Sequence, residues 1–166
     1  MPCSNKFYFG IDPSTISDSE LVALLNNSYV GGGFTTPDRA LTVFEPTSVR
    51  RRGQLIFARS QSDHALAGMV IVVTPDSAAR RISESDEAEL HLLAVDPVHQ
   101  GCGLGKSLMT AALQSIHAKG FLKAVLWTQP SMIVAHRLYE KVGFVRNVSR
   151  DPTLDGIPFL AYEIRW

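Results

Sequence analysis

The chain has 166 residues, of which 16 are lysine or arginine and 16 are aspartate or glutamate, so its formal net charge is zero. This balance gives no general reason to expect binding to nucleic acid or to a membrane surface. The length suits one domain with a proper hydrophobic core, and we expect residues 1–166 to form a single domain. Apolar runs in the sequence are too short to cross a bilayer.

The cysteine pattern and the N-terminal residues indicate the cellular compartment in which the protein is expected. The two cysteines, Cys3 and Cys102, form neither a metal-binding spacing nor a disulfide framework, so we expect no metal and a reducing environment. The first ten residues, MPCSNKFYFG, lack a basic stretch followed by an apolar one and do not resemble a signal peptide. These features predict a cytoplasmic protein.

The first half of the chain predicts short helices and strands. The predicted elements are strands at Lys6–Ile11, Gln54–Arg59 and Leu66–Val73, a helix that begins at Ser17 or Asp18 and ends near Asn26, and a second short helix between Pro37 and Arg51. The strand at Leu66–Val73 is apolar on both faces, which is typical of a central strand.

Two features of this half have both a structural and a functional interpretation. Gly31-Gly32-Gly33 could be a plain connection or a mobile loop above a substrate site, and the sequence favours neither. Arg50-Arg51-Arg52 could bind phosphate. The neutral net charge and the lack of interleaved aromatic residues favour a solvated turn instead.

The segment Glu87–Val95 predicts a strand that carries two carboxylates and an imidazole on one face. Strand alternation places Glu87, Glu89 and His91 on the same side. We expect Glu87 to face solvent at the start of the strand. Glu89 and His91 lie nearer to the glycine-rich segment that follows, which makes them candidates for acid-base catalysis.

The second half predicts a strand–helix–strand crossover and therefore a parallel pair of strands. Its predicted elements are a helix at Leu104–Lys119, a strand at Leu122–Thr128, a helix from Pro130 to Gly143, and final segments at Phe144–Val148 and Ile157–Arg165 that fit an antiparallel hairpin. In the second helix, we expect Val134, Leu138 and Val142 to form the packed face, while Tyr139 lies on another stripe.

The sequence LAVDPVHQGCGLGKSL, from Leu93 to Leu108, joins a strand to a helix through three glycines. Such a connection presents free backbone N–H groups and the positive end of the helix dipole to a phosphate. The dinucleotide pattern GxGxxG fails because Lys106 stands at its third glycine, and the P-loop pattern fails because Gln100 stands at its first. The pattern that fits is Q/R-x-x-G-x-G/A, with Gln100, Gly103 and Gly105 as its fixed positions.

Two motifs together resemble the GNAT superfamily of acyl-coenzyme A-dependent N-acetyltransferases. The first is VDPVHQGCGLGKSL, from Val95 to Leu108, and the second is AHRLYEKVGF, from Ala135 to Phe144. The resemblance implies an α/β fold with a central, twisted, mostly antiparallel sheet of about seven strands, in which one parallel pair splays apart, flanked by about four helices. It also implies acetyl-CoA as the co-substrate, without a metal.

The resemblance assigns roles to individual residues. Backbone N–H groups from Gln100 to Lys106 would hold the coenzyme A pyrophosphate, and the end of the preceding strand would pair with the pantetheine arm. The implied cofactor-binding residues are Leu93, Ala94, Val95, Gln100, Gly101, Cys102, Gly103, Leu104, Gly105, Lys106, Ala135 and Tyr139. Glu89 or His91 would take a proton from the amine, and Tyr139 would act as the general acid toward the departing thiolate.

One position departs from the family pattern. The family often places an asparagine seven residues before the tyrosine, where this chain has Met132. A thioether cannot donate a hydrogen bond as an amide does, so the contact would be lost or supplied by water or by Gln129. The departure weakens a resemblance to the subfamilies that acetylate protein N-termini.

The implied reaction is acetyl transfer to a primary amine by direct attack. A small-molecule amine is favoured over a protein, because no acidic or basic groove-like run is evident. A non-catalytic acyl-CoA-binding module and the acetylation of a protein N-terminus or lysine remain as alternatives. No nucleic acid or membrane partner is expected, and a homodimer is left open. We expect substrate contacts from Gly31–Phe34 and from the C-terminal hairpin.

Overall fold

A computed structural model of the protein describes residues 6–166, so Cys3 and the rest of the first five residues lie outside the described residues. The strands are β1 (Phe7–Gly10), β2 (Gln54–Ser60), β3 (Leu66–Val73), β4 (Ala88–Val95), β5 (Lys123–Thr128), β6 (Val145–Arg146), β7 (Thr153–Leu154), β8 (Ile157–Pro158) and β9 (Leu160–Arg165). The α-helices of this region are α1 (Asp18–Leu25), α2 (Pro37–Val43), α3 (Pro46–Arg51), α4 (Leu104–Ala118) and α5 (Ile133–Val142).

Seven strands form one sheet in the order β1-β2-β3-β4-β5-β9-β6, while β7 and β8 form a separate hairpin. All neighbouring pairs in the large sheet are antiparallel except β4 and β5. These two parallel strands pair only at Ala88–Ala124 and Glu89–Val125 and then separate. The predicted fold class is therefore confirmed, including the splayed parallel pair.

A bulge in β4 accompanies this separation. The register between β3 and β4 shifts between Met69 and Ile71, and Leu92 in β4 has a φ of 50°. A branched side chain rarely adopts this left-handed conformation, because its Cβ approaches the following carbonyl oxygen. The bulge lies in the part of β4 that no longer pairs with β5.

Two buried apolar clusters lie on opposite faces of the sheet, since Val70 and Ile71, neighbours in β3, belong to different clusters. Helix α4 covers one face with the predicted 3.6-residue stripe, buried at Leu104, Leu108, Met109, Ala112 and Ile116. Helices α1 to α3 cover the other face. A capping box between Ser17 and Glu20 starts α1, and Ser17 is one of the two residues at which the helix was predicted to begin.

Several local predictions were wrong where distant segments intervene. Glu87 is only 2% exposed, because Arg150 of the C-terminal segment binds its carboxylate at 2.7 and 2.9 Å. Val134 is 82% exposed, because α5 packs through its buried residues His136 and Tyr139.

The segment between α1 and β2 also differs in detail from the prediction. The chain after α1 continues as a short π-helix at Asn26–Val30 rather than ending near Asn26, and two short helices occupy the range where one was predicted. At the C-terminus, β6 pairs with β9 as expected, and the β7–β8 hairpin is inserted between them. None of the described helices combines the length and the apolar character that a membrane crossing requires.

Candidate active site

The segment Gly101–Lys106 presents free backbone N–H groups at the start of α4. Gly101 and Gly103 have positive φ angles of 76° and 86°, which only glycine adopts without steric cost. Helix α4 has no side-chain cap, and its first hydrogen bond runs from the Ser107 N–H to the Gly103 carbonyl at 3.1 Å. Among the residues that the structure describes, none accepts a hydrogen bond from the N–H groups of this segment. This geometry suits an anionic group.

The side chains around this segment hold its shape. The Gln100 amide donates to the Val95 carbonyl at 3.1 Å, and the Cys102 thiol donates to the His99 carbonyl at 2.9 Å. A Cβ on Gly105 would lie 3.0 Å from Leu138, so glycine allows α4 and α5 to pack closely. The Lys106 side chain is exposed beside the loop.

A cavity of about 790 Å³ reaches the gap between β4 and β5. Its wall includes Leu90 and Tyr139, which belong to the core on the α4 face, and Tyr29 and Leu92, which pack on the α1 face. The cavity therefore joins the two faces of the sheet where the parallel strands have separated.

Two segments predicted to contact substrate contribute to this wall. Phe34 lies in it, whereas the three preceding glycines do not. The β7–β8 hairpin and the residue after it contribute Leu154, Asp155, Ile157 and Phe159. Helices α2 and α3 and the loop before β4 also contribute to the wall, although nothing in the sequence pattern indicated this.

His91 and Glu89 form a buried pair in this region, and His91 lines the cavity. Their side chains meet at 2.7 Å between His91 Nε2 and Glu89 Oε2, and Glu89 is fully buried. The Glu89 carboxylate also accepts hydrogen bonds from the backbone N–H groups of residues 81–83. The edge of the His91 ring packs on Trp127, with 4.5 Å between centroids. The carboxylate thus has four donors, three of them from the loop before β4.

The protonation of the pair follows from these contacts. Burial alone would raise the pKa of Glu89, but the hydrogen bonds from His91 and from the loop lower it to about 2. Burial lowers the pKa of His91, and the Glu89 carboxylate only partly offsets this. Neutral His91 therefore donates its Nε2–H to Glu89, and its buried Nδ1 has no hydrogen-bond partner within the described residues. This Nδ1 lone pair is free to accept a proton.

Tyr139 of α5 also lines the cavity and is 7% exposed. Its ring packs between Phe144 and Tyr162, with centroid distances of 6.2 and 6.0 Å. Burial raises the pKa of Tyr139 to about 12, although the neighbouring Thr128 hydroxyl opposes the shift. The Tyr139 hydroxyl therefore stays protonated at neutral pH and acts as a donor. Ala135 lies one helical turn earlier and packs on the same core.

The position that departs from the family pattern is also in the cavity wall. Met132 accepts a weak hydrogen bond from the Thr128 hydroxyl at 3.7 Å. The Gln129 amide, considered as a substitute donor, donates instead to the Phe34 carbonyl at 2.8 Å. Gln129 therefore ties the Phe34 segment to the end of β5.

Two cavity residues lie where the sequence analysis expected no function. Arg52 is half-buried and donates to the Val43 carbonyl at 2.8 Å, so the prediction of a solvated turn was wrong for this residue. The run of three arginines was the available signal. Tyr29 donates to the Leu93 carbonyl in the splayed part of β4 at 2.9 Å, and nothing in the sequence pattern indicated that contact.

The splayed parallel pair, the cavity at the gap between its two strands and the uncapped glycine-rich helix start are together features of an acyl-CoA-dependent acetyltransferase fold. The chain matches the acetyltransferase (GNAT) family model over residues 19–144, and it belongs to this family.

Comparison with solved structures supports the fold. A GNAT-family acetyltransferase from Staphylococcus aureus has a TM-score of 0.74 at 17% identity, covering 96% of this chain and 98% of the other. A Bacillus subtilis acetyltransferase in complex with CoA has a TM-score of 0.65 at 20% identity, covering 97% of this chain and 98% of the other.

Proteins similar in sequence to this chain have names that specify different acetyl acceptors. A mycothiol acetyltransferase of Streptosporangium roseum is 45% identical over 58 residues, which are 35% of this chain and 17% of the relative. A ribosomal protein bS18-alanine N-acetyltransferase of Haemophilus ducreyi is 42% identical over 59 residues, which are 36% of this chain and 41% of the relative. The chain thus covers less than half the length of either relative.

Proposed function

We propose that this protein transfers the acetyl group of acetyl-CoA to a primary amine of a small molecule. The observation that carries the proposal is the cavity between β4 and β5, which holds both His91 and Tyr139 in its wall. Membership of the GNAT family supports acetyl-CoA as the donor. A volume of about 790 Å³ lies within the usual range for small-molecule sites.

The residues of this chain fit coenzyme A. The free N–H groups of Gly101–Lys106 suit a pyrophosphate, because they need an acceptor and stand at the positive end of a helix. The end of β4 at Leu93, Ala94 and Val95 no longer pairs with β5 and would pair with the amide groups of the pantetheine arm, beside the hydrogen bonds that the Leu93 and Val95 carbonyls accept from Tyr29 and Gln100. Acetyl-CoA bound in this way would supply an acetyl thioester at the gap, close to Tyr139.

His91 takes the proton that the amine must lose, at Nδ1, as the amine nitrogen bonds to the acetyl carbon and the carbon–sulfur bond breaks. Glu89 is the positioning residue, since its hydrogen bond holds the His91 ring and stabilises the imidazolium that forms. The proton then passes from His91 to solvent.

Tyr139 donates a hydrogen bond to the departing sulfur. A full proton transfer from the Tyr139 hydroxyl, whose pKa is about 12, to the coenzyme A thiolate, whose conjugate thiol has a pKa of ~8.5, would be uphill by about 5 kcal/mol. Tyr139 therefore stabilises the thiolate as a donor and keeps its own proton. This refines the role of general acid that the family resemblance implied.

The proposal is tested by release of free CoA thiol from acetyl-CoA with a panel of small amines and of peptides with free N-termini or lysines. We expect thiol release with at least one class of small amine and calorimetric CoA binding in the presence of a metal chelator. CoA binding without turnover on any amine would favour an acyl-CoA-binding module. Turnover restricted to peptides would favour the protein acceptor suggested by the bS18-alanine relative.

Replacing Gly103 by alanine should weaken CoA binding about tenfold. Its φ of 86° costs an L-residue roughly 1–2 kcal/mol, and relaxing this strain would turn the neighbouring N–H groups away from the anion. Gly120 is a matched control, because it has a φ of 87° and equally open surroundings at the opposite end of α4. We expect both variants to lose similar stability, while only Gly103→Ala loses affinity for CoA in calorimetry. Equal CoA affinity in the two variants would argue against the loop as the binding site.

Replacing Tyr139 by phenylalanine should lower kcat about tenfold to a hundredfold, because a hydrogen bond to a developing charge is lost. CoA affinity should stay near that of the unmodified protein. Tyr162→Phe is the control, since this ring packs 6.0 Å from Tyr139 but lies outside the cavity wall. Unchanged turnover in Tyr139→Phe would remove this residue from the mechanism.

A further inference from the structure

Positively charged side chains outnumber negatively charged ones in the cavity wall. Apart from His91, the wall contains four arginines and two carboxylates, which are Arg39, Arg51, Arg52, Arg81, Glu45 and Asp155. The chain as a whole has no net charge, so this excess of positive charge is local.

Both carboxylates already have partners. Asp155 forms an ion pair with Arg39 at 3.4 Å. Glu45 caps α3 by accepting from the Thr47 and Ser48 N–H groups at 2.9 and 2.6 Å, and Arg51 is close enough to lower the pKa of Glu45 further. Arg51 forms no ion pair among the described residues, but its charge acts on Glu45, so the positive charge that no carboxylate of the wall offsets is that of Arg52 and Arg81.

Neither of these two arginines has a carboxylate within ion-pair distance among residues 6–166. The only hydrogen bond from the Arg52 guanidinium in this region goes to the Val43 carbonyl, although the residue is half-buried. A buried guanidinium without an anion is unfavourable, and burial accordingly lowers the pKa of Arg52.

The fold holds both arginines next to the His91–Glu89 pair. The Arg81 backbone N–H donates to Glu89 at 2.8 Å, so the carboxylate that orients His91 also anchors Arg81. The loop that carries Arg81 is tied to Arg52, because the Ser77 hydroxyl donates to the Arg52 carbonyl at 2.7 Å. Both arginines line the cavity, and both charges act on the His91 imidazole in addition to its burial, so the two cations border the part of the cavity where the amine must lose its proton.

We propose that the acceptor is a primary amine that also carries a carboxylate, and that Arg52 and Arg81 bind this carboxylate. The inference rests on the proposed acetyl transfer and names its substrate class. The planar fork of a guanidinium suits the two oxygens of a carboxylate. Two guanidinium groups would fix the orientation of the bound carboxylate as well as balance its charge.

Binding of such a substrate would also make His91, the proposed base, a stronger base. Arg52 and Arg81 lower the pKa of His91 in the free protein. A carboxylate bound between the two guanidinium groups neutralises part of their field, so His91 becomes more basic when the correct acceptor is bound. Substrate recognition and proton removal are therefore coupled through the same two arginines.

The test compares ω-amino acids of increasing chain length with alkylamines of the same length and with the corresponding aminoalkylphosphonates, measured as kcat/KM by thiol release. We expect the best amino acid to exceed its alkylamine by at least about tenfold. In Arg52→Met and Arg81→Met, that ratio should fall about tenfold or more, while CoA affinity by calorimetry is retained.

Arg80→Met is the matched control, because Arg80 is the exposed neighbour of Arg81 and lies outside the cavity wall. It should keep the amino acid to alkylamine ratio of the unmodified protein. Arg81 is itself exposed, so its replacement tests the proposal even if Arg52→Met does not fold.

Three results would overturn the inference. Alkylamines used as well as amino acids would refute it and leave acetyl transfer to amines in place. A preference for phosphonates would refute the carboxylate assignment. CoA binding without thiol release on any amine would refute the proposed function and this inference together.

Discussion

Replacing His91 by alanine should lower kcat for acetyl transfer by about a hundredfold to ten-thousandfold, the usual contribution of a positioned general base. The residue has three properties of such a base. It is neutral, its Nε2 is held by Glu89 at 2.7 Å, and its Nδ1 is free of hydrogen bonds within the described region. CoA affinity should change little, because the N–H groups proposed to bind the pyrophosphate lie at the start of α4.

The pH profile separates a basic role from a structural one. Burial places the pKa of His91 below its ordinary value of 6.5, so the reactive neutral form is lost only as the pH falls below this value. We expect kcat of the unmodified protein to be level at neutral pH and to decline on the acid side. His91→Ala should lack this acid limb. Glu89→Gln removes a charge that raises the pKa of His91, so it should move the limb to lower pH.

His117→Ala provides the control for the His91 experiment, since His117 is an exposed histidine at the end of α4. It should leave kcat and the pH profile unchanged. Added imidazole should restore part of the activity of His91→Ala, because the vacated volume adjoins the cavity. A His91→Ala variant with unchanged kcat and an unchanged acid limb would exclude His91 as the base.

Replacing Glu89 by alanine should lower the free energy of unfolding by about 3–5 kcal/mol, as expected when one partner of a buried charged network is removed. The fully buried carboxylate accepts hydrogen bonds from three backbone N–H groups of residues 81–83 and from His91. Alanine would leave these donors without an acceptor. Acetyl transfer should fall as well, because the loop with Arg81 and the His91 ring both lose their anchor.

The same residue predicts a pH dependence of stability. The pKa of Glu89 is about 2 in the folded protein against an ordinary value of 4.5, so the folded state favours the charged form. This contribution of about 3 kcal/mol is complete above pH 4.5 and is lost as the pH falls from 4.5 toward 2. Glu89→Ala should lose less stability than the unmodified protein over this interval.

Urea unfolding, followed at several pH values, measures both effects as changes in the midpoint at a constant slope. Glu84→Ala is the matched control, since Glu84 is an exposed carboxylate in the same segment. Its stability should change by no more than about 0.5 kcal/mol. A Glu89→Ala variant as stable as Glu84→Ala would contradict the network described here.

Features that depend on neighbours in the chain were predicted well. The stripe of α4 is buried as expected because a helical period in the sequence defines one face. The positive φ angles of Gly101 and Gly103 agree with the glycine spacing of the loop, since few other residues adopt that conformation. The crossover between β4 and β5 followed from the order of the elements.

Predictions about exposure failed where a distant segment supplies the environment. Glu87 is buried because Arg150 folds over it, and nothing in the local sequence indicates this pairing, since the two residues are 63 positions apart. Arg52 was interpreted as part of a solvated turn, yet it lines the cavity because α3 packs beside the loop before β4. Glu89 and His91 were proposed as equal candidates, but the backbone of residues 81–83 surrounds only Glu89, whereas His91 packs on Trp127 and lines the cavity.

The sequence therefore predicted the class of fold, which the structure confirms, and it predicts a place where an acyl-CoA donor would bind, because both depend on contiguous residues with fixed backbone preferences. It could not reveal which buried carboxylate is saturated with donors, which imidazole nitrogen is free, or that two arginines without carboxylate partners border the cavity. Hydrogen-bond saturation, burial and local charge are sums over side chains from separate segments. They become defined only when the chain has folded around the gap between β4 and β5.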